Sequence, residues 1–340
     1  MRFSSATLAL PLFFLVVLGF FCLFAPHFAT ASNFENLMSG FSFVAILAIG
    51  QSFPILLRGI DLSVGAILAL VGMVTFDLSL MFGWPGFLIL PAALLTGTLA
   101  GALNGAMIVV VRLPPFIATL STLAAYRGLV YAISGRQLVP GLSTTPITDH
   151  WITGLETYFD VGAALGLHRV LKTPWVPLSF IIMLSTLVAV QILLSATKFG
   201  RDLYTVGGNA EAARLAGIPV GRTIIAAYAI SGFCAALASL LLVARLTTAT
   251  ESLGMGLELS TISAAVIGGV SLSGGVGNAV GPVVGAFLLG AVLIGLTLLG
   301  ISQFVQQILT GAILLVAICN DRFQIWWRGR RPALAGQNGR

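Results

Sequence analysis

Charge is scarce in this chain. Only 8% of its 340 residues are Asp, Glu, Lys or Arg, against roughly 25% in a soluble domain. Lysine occurs only at Lys172 and Lys198, so a G-x-x-x-x-G-K-[ST] phosphate loop is missing. The three histidines, His27, His150 and His168, lie far apart, and neither H-E-x-x-H nor G-x-S-x-G is present. Cys22, Cys234 and Cys319 each sit in an apolar stretch without C-x-x-C or metal spacing, and read as small buried hydrophobes. The glycines of 275–281 fall at the wrong spacing for a dinucleotide fingerprint and lie between apolar runs. These absences exclude a soluble enzyme and a phosphate-loop ATPase. No cofactor or metal is expected.

What fills the chain is apolar: 58% of the residues are hydrophobic. A membrane-spanning helix takes about 20 such residues. Ten segments qualify, near 6–25, 38–57, 62–82, 87–111, 115–134, 175–196, 223–243, 260–275, 281–299 and 303–320. The expected fold is therefore an all-α polytopic membrane protein of about ten transmembrane helices. Ala29-Thr30-Ala31 has the form of a signal-peptidase site, but the apolar run before it is too long for a signal sequence, so it reads as an uncleaved first span.

The net charge of +6 is spread over loops and a tail, which argues against nucleic acid and for topology. With the N-terminus inside, the inner positions hold Arg2, Arg58, Arg112, Lys198, Arg201, Arg214, Arg222, Arg322, Arg328, Arg330, Arg331 and Arg340. The outer positions hold only Arg136, Arg169, Lys172 and Arg245. Both termini are expected to be cytoplasmic, with an outer loop over about 135–174 and a basic tail over 322–340. Within the outer loop, 150–168 reads either as an amphipathic interfacial helix or as irregular chain.

Several features stand out against this background. Pro54, Arg58 and Gly59 interrupt an apolar run, and a broken helix survives in a membrane only where it is buried in protein or lines a cavity. Gly59-Ile60-Asp61-Leu62-Ser63 resembles Gly256-Leu257-Glu258-Leu259-Ser260. Gly97, Gly101 and Gly105 follow the first stretch, and Gly281, Gly285 and Gly290 follow the second. Asp61 is expected near the inner face and Glu258 near the outer, the placement of an inverted repeat. Asp61, Asp77, Arg127, Glu251 and Glu258 are charges in or beside apolar segments, either ion-paired for structure or lining a polar path. In the inner loop, Asn209 suits a helix N-cap, Glu211 its first turn, and Gly217 with Pro219 its end. A helix this short is marginal alone in water; it is either a docking element or a capped connector.

Together these motifs resemble the permease subunits of ribose-type sugar ABC importers. The resemblance covers about Gly40 to Asp321. It rests on Gly59-Ile60-Asp61-Leu62-Ser63-Val64-Gly65, Leu103-Asn104-Gly105, Pro114 to Leu120, Arg127-Gly128-Leu129, Gly207 to Ile218, Gly256 to Leu259 and Ile267 to Gly275. It implies a non-enzymatic transport subunit in the inner membrane, dimeric with a second copy or a paralogue. It also implies a separate ATPase docked inside and a periplasmic solute-binding protein outside. By the same resemblance, Asp61, Ser63, Asn104, Arg127 and Glu258 belong to the substrate pathway. Asn209, Glu211, Ala213, Arg214 and Gly217 then form a coupling helix, about 209–217, within a membrane domain of residues 1–321. The chain departs from the family's pattern at Ser260, where an acid is expected, and in its longer outer loop around 143–172; both bear on which solute is carried. An ion-coupled secondary transporter is the competing reading, with few intramembrane acids to support it.

Overall fold

The computed structural model describes residues 5–135, 154–160, 175–316 and 319. Within them the chain forms twelve helices and one two-stranded ribbon. The first five helices are α1 (Ser5–Phe24), α2 (Ala31–Leu56), α3 (Val64–Leu80), α4 (Gly86–Val110) and α5 (Pro115–Ser134). After the ribbon come α6 (Leu178–Ala196), α7 (Lys198–Gly208), α8 (Ala210–Leu215), α9 (Val220–Leu246), α10 (Leu257–Ile267), α11 (Val280–Leu298) and α12 (Gln303–Val316). Six of them, α2, α4, α5, α6, α9 and α11, are long and apolar enough to cross a membrane alone; α1, α3, α10 and α12 are shorter apolar helices. Each of the ten expected segments thus contains an apolar helix.

The centre is built from α2, α3 and α9. Ile46, Ile49, Phe53, Ile67, Leu68, Met73, Ala235 and Leu241 are buried there. The outer helices present large apolar side chains outward, including Leu23, Leu99, Val110, Phe116, Ile192 and Phe304. A helix apolar on all sides is stable only inside a protein or in lipid, so these outward faces suit lipid or a partner's apolar surface. Of the cysteines, Cys234 is buried as expected, whereas Cys22 is half-buried and Cys319 is exposed.

Lipid supplies no hydrophobic drive between helices, and close packing of small residues takes its place. The glycine stripes do this work. A Cβ on Gly101 would stand 2.1 Å from the Tyr228 carbonyl oxygen, and one on Gly97 2.5 Å from that of Gly232, so α4 and α9 touch backbone to backbone. The second stripe behaves likewise: a Cβ on Gly281 would lie 1.8 Å from the Gly268 carbonyl oxygen, and one on Gly285 2.1 Å from that of Ala264.

Two expectations are corrected. The span at 260–275 is instead the 11-residue helix α10 followed by a turn-rich segment, because Gly269 (φ 86°), Gly274 (φ 80°) and Gly275 (φ 71°) take left-handed backbone. Asp61 and Glu258 do not sit at opposite faces. Asp61 bonds Ser231 near the middle of the 27-residue α9. The Glu258 carboxylate lies beside Gly65, whose Cβ would be 2.7 Å from Oε2. The segment after α9 turns back from the C-terminal end of that helix to this level, so α3 and α10 start at a similar height along α9. α3 runs parallel to α9: Asp61 just before α3 bonds Ser231, and Leu68 further along α3 accepts from the Ser239 hydroxyl at 2.7 Å.

Of the outer loop, 154–160 and 175–177 are described. Tyr158–Asp160 pairs antiparallel with Trp175–Pro177, Phe159 opposite Val176, so 158–160 is strand rather than helix. The rest of the proposed interfacial helix and the 322–340 tail lie outside the described residues.

Candidate functional site: the central helix break and the short helix pair

The break between α2 and α3 is closed by a polar knot. Asp61, fully buried, accepts at Oδ1 from the Ser63 backbone N–H at 3.0 Å and the Ser63 hydroxyl at 2.6 Å, and at Oδ2 from the Ser231 hydroxyl at 3.0 Å. Asn104 on α4 donates its amide to the Ser63 hydroxyl at 2.7 Å, and Thr119 on α5 donates to the Ile60 carbonyl at 3.1 Å. Three helices, α3, α9 and, through Ser63, α4, are therefore tied through one carboxylate, and α5 is joined to the backbone beside it. Donors passed from Asn104 to Ser63 to Asp61 reinforce one another in low dielectric. Asp61, Ser63 and Asn104 are all enclosed within the single chain, away from its surface.

Glu258 and Arg127 form a second, half-buried group. Glu258 lies in the first turn of α10, where its Oε1 accepts from the Gly256 N–H at 3.3 Å. Its Oε2 faces Gly65 in the first turn of α3. One carboxylate thus stands at the positive ends of two helices, a favourable place for negative charge. Arg127 on α5 donates to the carbonyls of Glu251 at 2.7 Å and Leu253 at 2.8 Å, and is within electrostatic reach of Glu258. It holds the returning segment 247–256 against α5. Gly254 meets Gly65 there backbone to backbone.

At the other end lies the helix pair α7–α8. α8 begins as the sequence reading expects. The Asn209 side chain accepts from the backbone N–H groups of Glu211 and Ala212, both at 3.0 Å. It ends at Gly217 (φ 77°), with Gly217 N–H to Arg214 O and Ile218 N–H to Ala213 O, both 3.0 Å, the paired bonds of a glycine-terminated helix. Glu211 and Arg214 pair at 3.2 Å on the exposed side of the helix. Ala213 is buried, while Leu215 is 83% exposed. The preceding α7 went unrecognised in the sequence. Thr197 caps it by accepting from Gly200 N–H at 3.1 Å, and Phe199, Leu203 and Val206 face inward. Its signal, a capping threonine followed by helical apolar spacing, is masked by the Gly and charged residues between.

A third group, absent from the sequence reading, sits at the opposite end. The Arg245 guanidinium bonds Ser39 and, at 3.2 Å, Glu156, joining α9, α2 and the turn that leads into the ribbon; Ser39 in turn donates to Glu156. Among the described residues no group of three His, Cys, Asp or Glu is placed to hold a metal.

Comparison with known proteins agrees with this architecture. The family described as "Branched-chain amino acid transport system / permease component" matches residues 33–318. The ribose import permease of Haemophilus influenzae is 35% identical over 309 residues, covering 91% of both chains. That of Bacillus subtilis is 36% identical over 313 residues, covering 92% of this chain and 91% of its own. The xylose transport system permease of Escherichia coli K12 is 35% identical over 336 residues, 86% of each chain. No solved structure matches. With some 35% identity maintained across nine-tenths of its length and a family match that spans every helix from α2 to α12, this chain belongs to the permease-component family of such import systems, and is a multi-pass membrane transport subunit rather than an enzyme.

Proposed function

We propose that this chain is the permease subunit of an ATP-driven importer of a pentose or a closely related polar solute. The observation that carries this reading is similarity to ribose and xylose permeases over 86–91% of the chain. The family description names branched-chain amino acids instead, and the sugar reading follows the individual relatives. The sequence has no phosphate loop, so a separate ATPase supplies the energy from the cytoplasm. α8 is the coupling helix. Its cap, its buried Ala213 and its exposed Leu215 are the features of a rigid plug with an apolar tip. A periplasmic solute-binding protein docks at the outer ends of α2 and α9 and the outer ribbon, and a second permease subunit completes the pathway. The termini lie in the cytoplasm of an inner-membrane protein.

In this reading the pathway residues divide by role. Asp61, Ser63 and Asn104 brace the helix break. Glu258 and Arg127, half-exposed at the meeting of α3 and α10, offer hydrogen-bond partners for passing hydroxyl groups. Broken helices at mid-membrane are the usual place for solute in transporters. The test uses proteoliposomes holding the permease with its ATPase, ATP trapped inside, and labelled ribose or xylose with binding protein outside. ATP-dependent uptake is expected. Uptake driven by an imposed sodium or proton gradient without ATP would instead support the ion-coupled reading.

A further inference from the structure

α2 ends in a paired-bond turn. Arg58 N–H donates to Ile55 O at 2.9 Å and Gly59 N–H to Pro54 O at 2.8 Å. The residue at the centre of such a turn takes left-handed backbone and is usually glycine. Here it is arginine, with φ 63°, a conformation that costs any residue with a Cβ. Gly59 stands one position later and does not relieve it. The arginine head accounts for the choice. Its Nε donates to the Gly207 carbonyl at 2.9 Å and its Nη2 to the Gly208 carbonyl. These are the last two residues of α7, and the next residue is Asn209, the cap of α8.

The contact is close on all sides. A Cβ on Gly207 would stand 1.9 Å from the Leu56 carbonyl oxygen, and one on Gly274 2.5 Å from Arg58 Cγ. The Gly275 N–H donates to Leu56 O at 2.9 Å. The end of α2, the α7–α8 junction and the loop after α10 thus meet at Arg58. Three residues on, Asp61 joins α9 and, through Ser63, α4; four residues beyond that, Gly65 abuts Gly254 and Glu258. The segment 57–65 runs from the α7–α8 pair to the mid-membrane meeting of α3 and α10.

We propose that Arg58 is a positioning residue that couples movement of the α7–α8 pair to the central break, so that displacement of α8 is passed through the Gly207 and Gly208 carbonyls to segment 57–65. This rests on α8 being the ATPase-docking element. A merely structural role, capping the C-terminus of α7 with a cation, would also use these bonds, and the experiment separates the two.

Arg58→Gly is the informative variant. It removes the guanidinium and at the same time relaxes the left-handed backbone, so the turn itself is retained. Permease–ATPase complexes are purified, quantified, and reconstituted with binding protein. Uptake and ATP hydrolysis are read per assembled complex. For Arg58→Gly the expected result is retained ATP hydrolysis with uptake lowered about tenfold, within the roughly 5–150-fold range of inter-site coupling. Arg58→Lys, whose ammonium lacks the planar fork that reaches both carbonyls, is expected to fall between. Wild-type uptake per complex in Arg58→Gly overturns the proposal, even if yield or melting temperature drops. If Arg58→Gly does not assemble, wild-type uptake per complex in Arg58→Lys overturns it. Failure of the underlying reading looks different: the wild-type permease would then hold no ATPase, or would transport without ATP.

Discussion

Replacing Ala213 with proline is the sharpest test of the coupling helix. Ala213 is the fourth residue of the six-residue α8, and its N–H donates to the Asn209 carbonyl at 3.0 Å. Proline removes that donor and drives its ring toward the same carbonyl, at about 3 kcal/mol or more. Little in α8 offsets this. The Asn209 cap contributes about 1 kcal/mol, and the exposed Glu211–Arg214 pair at most about 0.5 kcal/mol. A loss of about 3 kcal/mol shifts the folded helix population roughly 150-fold, enough to abolish a geometry-dependent docking surface. The substitution lies outside the apolar segments, so membrane insertion is preserved. We expect Ala213→Pro permease to reach the membrane in normal amount, to lose its ATPase on detergent purification, and to show no uptake. Asn209→Ala removes two bonds from N–H groups and costs about 0.5–2 kcal/mol, so a partial loss is expected. Glu211→Gln and Arg214→Gln are nearly neutral. If the Ala213→Pro protein co-purifies with its ATPase and imports at the wild-type rate, α8 is a connector and the coupling role is refuted.

Asp61→Asn keeps the shape of the buried knot and, with its oxygen toward Ser63 and its NH2 toward a rotated Ser231 hydroxyl, keeps the three bonds in weaker, neutral form; at a cost of about 1 kcal/mol, uptake should slow with insertion intact, and unchanged uptake in membrane vesicles would make Asp61 a spectator. Gly101→Leu places side-chain atoms where the Tyr228 carbonyl stands 2.1 Å from a Cβ; α4 and α9 should separate, with loss of folded protein by size-exclusion chromatography, whereas Gly128→Leu, with open space around it, should be tolerated. Sidedness is tested by cysteine labelling of intact cells from a variant lacking the three native cysteines: Thr157→Cys should react with an impermeant maleimide, and Leu215→Cys should react only after the membrane is opened.

Much of this was legible because its signals are local. The apolar segments, the Asn209 cap and the Gly217 stop are each written within a few neighbouring residues. The glycine stripes were visible as spacing, although their partners, Tyr228, Gly232, Gly268 and Ala264, were not. Hydropathy averages over some twenty residues, so it merged α10 with the loop after it; the left-handed glycines at 269, 274 and 275 mark the end that the average hides. The depth of Glu258 was misjudged for a different reason. Counting spans assumes that each connection stays at one face, while 247–256 turns back along α9 to Gly65. Nothing near Arg58 in sequence names Gly207 and Gly208 as its partners, some 150 residues away. The resemblance to sugar permeases did reach across these gaps, since it rests on ordered motifs rather than on distance.

The placement of the few charges follows from the solvent. In lipid, helices gain nothing by hiding apolar surface from one another. What holds them together is close backbone approach and polar bonds that lack water as a competitor. Glycine supplies the first along α4–α9 and α10–α11, where contacts repeat over several turns. At the meeting of α3 and α10 a single pair, Gly65 and Gly254, touches, with Cβ positions 2.4 and 2.5 Å from the facing carbonyl oxygens. A single contact of this kind holds far less than a stripe. Here the polar bonds carry the load: Arg127 fixes the returning segment through two carbonyls, Glu258 answers the N-termini of both short helices, and Asp61 ties the break to α9 and, through Ser63, to α4. Breaking and remaking a few such bonds costs much less than repacking a stripe of glycines. On the transport role proposed above, we place the opening of this fold at the seam between α3 and α10, where its two glycine-packed layers can stay intact and the polar groups of the seam can exchange with a passing solute.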